Sequence, residues 1–115
     1  ERIEDKVMGD VKKLSFKKRL SLSDASLNNL VGLLKRDYPK LILVFHATKK
    51  EALSGSSNGE VYYRDIAEKH NIEFFSTMKL YKELYSKGVE PHSDKIHLTW
   101  QGNQELSAKL LELIN

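Results

Sequence analysis

Apolar residues recur along this chain first at a helical spacing and then in short continuous runs. From Ser23, which Asp24 follows, Leu27, Leu30, Val31 and Leu34 fall at i, i+3, i+4 and i+7. That pattern predicts an amphipathic helix capped by Ser23 and stopping near Asp37, ahead of Pro39. Leu41-Ile42-Leu43-Val44-Phe45 is an uninterrupted apolar run and reads as a strand covered on both faces, as in a parallel sheet. Lys49 to Gly59, with its Ser54-Gly55-Ser56-Ser57-Asn58-Gly59 core, reads as a flexible loop at the carboxyl end of that strand. A helix through Val61, Tyr62, Ile66 and His70 follows, with Asn71 as its C-cap. Ile72 to Phe75 reads as a second buried strand, and Thr77 to Tyr85 as a short helix bearing Met78, Leu80, Tyr81 and Leu84, with Gly88 as its terminator. After a turn-rich segment containing Pro91, Gln101 to Ile114 places Leu106, Leu110, Leu111 and Ile114 on one helical face, which is expected to dock on the sheet. Residues 1–20 lack a clear period. They read as an irregular or partly helical lead-in whose Val7, Val11, Leu14 and Phe16 touch the core only intermittently.

Strands alternating with helices imply an α/β layered fold with right-handed crossovers. Two strands are too few for an independent three-layer sheet, so the chain reads as one α/β domain or a fragment of a larger one. At 115 residues and 40% hydrophobic content it can bury a core as one compact unit. The longest apolar run, Leu41 to Phe45, is far too short to span a bilayer, so neither a membrane span nor a retained signal peptide is expected. The absence of cysteine excludes disulfides, thiolate zinc sites and a cysteine nucleophile, and leaves the compartment open. Nineteen basic against sixteen acidic residues give a net charge of +3. Lys12, Lys13, Lys17, Lys18 and Arg19 concentrate the positive charge in the lead-in, without a recognisable nucleic-acid motif. A solvated face is the preferred reading there, and nucleic acid is not the expected partner.

Candidate chemistry centres on Pro91-His92-Ser93-Asp94-Lys95-Ile96-His97-Leu98-Thr99. Asp94 and His97 are three residues apart, a spacing that lets the carboxylate turn back onto the imidazole, fix its tautomer and stabilise the imidazolium. A turn-capping aspartate followed by a half-buried histidine is the alternative on spacing alone. A metal held by His92, Asp94 and His97 lacks a further ligand at fixed spacing, so neither a metal nor another cofactor is called for. His46 reads as filling the sheet edge or lining a cleft, and His70 as a helix-end histidine. Trp100 reads as core or rim packing, otherwise as an apolar wall for an acyl or sugar group. Tyr62, Tyr63, Tyr81 and Tyr85 read as packing residues. Ser54, Ser56 and Ser57 lie at the active-site edge of an α/β sheet but lack the strand-turn-helix constraint that exposes a nucleophile.

Asp94-Lys95-Ile96-His97-Leu98-Thr99, then Gly102-Asn103 and the helix containing Leu106 to Leu111, resembles the last conserved block of the SGNH hydrolases, the GDSL-type esterases and lipases. The order of elements upstream is similar to the second half of that family's flavodoxin-like fold. The resemblance spans roughly Ser23 to Asn115, with residues 21–115 corresponding to the carboxyl half of such an enzyme. It implies a flavodoxin-like three-layer sheet of which this chain holds part. It also implies a serine esterase or acyltransferase acting on a small acyl ester, such as an acetylated sugar or a lipid. His97 would then be the general base and Asp94 its partner. The family's Gly-Asp-Ser and Gly-x-Asn-Asp motifs are not intact. Met8-Gly9-Asp10-Val11 comes nearest, and Val11 cannot attack a carbonyl. The missing serine would come from a segment or another chain that completes the sheet; the rival reading is an inactive α/β interaction module. Such families commonly work outside the cytoplasm, an expectation carried by the resemblance alone.

Overall fold

The computed structural model describes the backbone of residues 16–115 and the side chains of residues 23–115. The readings that fall on residues 1–15, Met8-Gly9-Asp10-Val11 among them, lie outside the described residues. The chain divides into two compact units, Glu1–Lys40 and Leu41–Asn115. Helix α1, Phe16–Asp37, belongs to the first unit, whereas the sequence reading grouped it with the sheet. It begins seven residues before Ser23, which is therefore helix interior and not an N-cap. No Gly or Pro interrupts residues 16–22, so nothing stops the helix from propagating through them. Lys35 and Arg36 in its last turn complement the helix dipole.

The second unit has mixed α/β architecture. Strand β1, Ile42–Phe45, pairs in parallel with β2, Glu73–Ser76, in the register Ile42↔Glu73 to Phe45↔Ser76. A parallel pair requires a crossover, provided here by α2, Lys49–Ser54, and α3, Asn58–Lys69. Helix α4, Met78–Ser86, follows β2, and α5, Trp100–Ile114, closes the chain. Helix α3 packs on both strands and α2 packs on α4. The core gathers Phe45, Ala47, Ala52, Met78, Tyr81 and Leu84.

Three expectations are corrected. The segment from Lys49 is not a flexible loop. Thr48 caps α2 through a capping box, its hydroxyl accepting from the Glu51 N–H while the Glu51 carboxylate accepts from the Thr48 N–H. Gly55 then ends the helix at φ 77°, in the left-handed region open to glycine. Strand β1 is not covered on both faces: Phe45 is buried, but Val44 is exposed among the described residues. Helix α5 does not bury its whole apolar stripe either. Leu106, Leu110 and Leu113 are half-buried, while Leu111 and Ile114 face solvent. Among the described residues, no helix is long and apolar enough to cross a membrane.

Thr77 joins the two strand ends. Its buried hydroxyl donates to the Phe45 carbonyl at 2.9 Å and accepts from the Ala47 N–H at 2.8 Å. Thr77→Val keeps the shape and orphans that N–H, so the substitution is expected to cost about 1–3 kcal/mol. A urea midpoint equal to that of the parent would show that these bonds contribute nothing.

Candidate active site

The segment after α4 folds into a tight loop because its two ends pair. His92 and Leu98 form an antiparallel bridge. The Ser93 N–H donates to the His97 carbonyl at 2.8 Å, and the Thr99 N–H to the Pro91 carbonyl at 2.8 Å. Asp94 organises the turn inside that frame. Its Oδ1 accepts from the N–H groups of Ile96, at 2.8 Å, and His97, at 2.7 Å, as a carboxylate in an Asx-type turn does. Its Oδ2 accepts from His97 Nδ1 at 2.7 Å. A carboxylate only accepts, so Nδ1 carries the proton and the neutral ring keeps its lone pair on Nε2. The side chains of His97 and Asp94 are 72% and 55% exposed, so that lone pair is open to an incoming group. The three-residue spacing predicts either this pairing or a half-buried histidine beside a turn cap; the pairing forms and the imidazole is exposed.

The two backbone N–H bonds, from His97 and then Ile96, together with the imidazole, hold the Asp94 carboxyl down at a pKa of about 2. The unfolded chain binds a proton at Asp94 more readily than the folded chain does, so this contribution to stability is complete above about pH 4. It is lost as pH falls through about 2. Unfolding followed across that window should show acid destabilisation that Asp94→Asn removes. Equal slopes in the two proteins would contradict the assignment.

Struts from the sheet end fix the loop. His46, just beyond β1, donates Nε2–H to the Ile96 carbonyl at 2.7 Å, while Nδ1 of the neutral ring accepts from the Tyr81 hydroxyl at 2.8 Å. Burial pushes the Tyr81 phenol up to about 12, which keeps it protonated as that donor. The Lys49 N–H donates to the Lys95 carbonyl at 2.9 Å. At the loop base His92 is buried, donating Nε2–H to the Ala47 carbonyl at 3.0 Å and accepting from the Tyr85 hydroxyl at 2.7 Å. The sequence alone points to His46 and the two tyrosines only as edge, cleft or packing residues. Their local signal is the i, i+4 spacing of Tyr81 and Tyr85, which sets both hydroxyls on one face of α4.

His92 turns inward, so His92, Asp94 and His97 do not form a ligand set, and among the described residues no cluster of three or more such groups could hold a metal. The Ser54 hydroxyl bonds the Glu51 and Ser56 carbonyls, and Ser57 caps α3 while donating to the Glu51 carboxylate. Among the described residues no serine hydroxyl bonds the His97 ring. Trp100 opens α5 with 71% of its surface exposed, so it is not core. His70 is the C-cap of α3. No family model, curated protein or solved structure matches the chain.

Proposed function

We propose that Asp94 and His97 are the orienting carboxylate and general base of an SGNH-type serine ester hydrolase or acyltransferase acting on a small acyl ester, such as an acetylated sugar or a lipid. The supporting observation is the 2.7 Å bond from His97 Nδ1 to an Asp94 carboxylate that two backbone N–H groups already orient. The nucleophile is a serine outside the described residues, on a segment or chain that completes a flavodoxin-like three-layer sheet. His97 Nε2 takes the serine proton as the serine oxygen bonds to the acyl carbon. The resulting imidazolium, stabilised by Asp94, returns that proton to the leaving alcohol oxygen as the ester C–O bond breaks. Water or a second alcohol then releases the acyl group by the same transfers in reverse order.

A fluorophosphonate, offered to the protein as produced in its source together with its native partners, tests this reading. The expected result is covalent labelling of one serine together with ester hydrolysis. Absence of both favours the second reading, an inactive interaction module or partner-dependent subunit. The observation behind that reading is that the sheet has two strands among the described residues, with Trp100, Leu111 and Ile114 exposed on α5.

A further inference from the structure

An open groove of about 810 Å3 lies between α2 and the loop that carries Asp94 and His97. Thr48, Lys50 and Leu53 form one wall, and Lys95 with Ile96 the other. Ile96 lies between the two residues of the pair, and its N–H is one of the donors that orient Asp94. The groove and the pair therefore share one loop segment, 94–97, of which Lys95 and Ile96 line the groove. Leu53 and Ile96 leave 57% and 51% of their surfaces in water. Two branched aliphatic side chains on facing walls form an apolar floor, which the methylene stems of the lysines extend while their ammonium groups stay hydrated.

Charge selects the occupant further. Lys49 also lines the groove, but its ammonium lies 2.6 Å from the Glu90 carboxylate and is compensated. Lys50 and Lys95 form no ion pair among the described residues. The groove thus joins an apolar lining to two lysines without an ion-pair partner among the described residues.

We propose that this groove binds a monomeric, single-chain anionic amphiphile, with its aliphatic chain against Leu53 and Ile96 and its anionic head facing Lys50 and Lys95. Taken with the ester-hydrolase reading, on which this consequence rests, the substrate class becomes an ester of an aliphatic acyl chain that carries an anionic group. The site itself requires no nucleophile.

The experiment is an amide NMR titration of the 115-residue chain with decanoate below its micelle concentration, and with decyltrimethylammonium as the cationic counterpart. Saturable shifts are expected at Leu53, Lys95 and Ile96 with decanoate, and binding at least about tenfold weaker for the cationic probe, because two attractions become repulsions. Lys50→Glu with Lys95→Glu should weaken decanoate by a similar factor, and Leu53→Asp, at an exposed position, should remove the shifts without unfolding the chain. Equal response to both head groups, shifts centred on Trp100 and Leu111, or response only to phosphatidylglycerol vesicles would each overturn the proposal. Decanoate binding in a protein whose ester hydrolysis is indifferent to His97→Ala would keep the groove and reject the hydrolase, so the two failures are separable.

Discussion

His97→Ala is expected to lower ester hydrolysis by the source protein about 10²–10⁴-fold, the usual contribution of a positioned general base, and to leave its urea midpoint essentially unchanged. The second half follows from exposure: 72% of the His97 side chain lies in water, and the backbone bond from the His97 N–H to Asp94 survives the substitution. Asp94→Asn gives a sharper test. Asparagine retains a carbonyl oxygen for the Ile96 and His97 N–H groups but presents an NH2 to the imidazole. The ring must then accept at Nδ1 and carry its proton on Nε2, where it cannot serve as a base. A comparable loss of activity in a folded Asp94→Asn protein is therefore expected. If both variants hydrolyse esters at the parental rate, the pair is a turn cap and the interaction-module reading takes its place.

Gly102→Ala is expected to produce the largest structural effect at the site. Gly102 lies in the first turn of α5, where a Cβ would fall 2.3 Å from the Pro91 carbonyl oxygen and 3.0 Å from Pro91 C and Cα. Alanine improves helix propensity by about 0.8–1 kcal/mol over glycine. A contact that short against backbone cannot be relieved by side-chain rotation, however, and overpacking typically costs about 1–3 kcal/mol. The clash wins. Because the same Pro91 carbonyl accepts from the Thr99 N–H at the base of the loop, the displacement should carry Asp94 and His97 with it. A lower melting temperature together with a changed His97 ring signal is the expected outcome. A higher melting temperature would show that α5 does not press on Pro91.

The elements most legible in the sequence are those specified locally. β1, β2, α4 and α5 fall within a residue or two of their apolar runs, and the Asp94–His97 pair follows from a three-residue spacing inside one turn. Helix α2 was hidden by the Ser/Gly-rich stretch beside it, although Thr48-Lys49-Lys50-Glu51 carries the Thr-x-x-Glu signature of a capping box. His46 meets Ile96 across fifty residues, and His92 meets Ala47 across forty-five, so no local pattern can signal either contact. Periodicity shows which residues of β1 and α5 are apolar, but not what covers them, which is why Val44, Leu111 and Ile114 were expected in the interior.

The struts on the Asp94–His97 loop bear on how a complete site would assemble. The loop is bound by hydrogen bonds to the ends of β1 and α4 and to the start of α2, so its geometry is held by the second unit's own residues. On the ester-hydrolase reading proposed above, a segment or chain delivering a serine would meet a receptor that is already ordered, and little conformational entropy would be lost on this side of the encounter. Assembly would resemble a key entering a cut lock, with the ordering cost falling on the incoming strand.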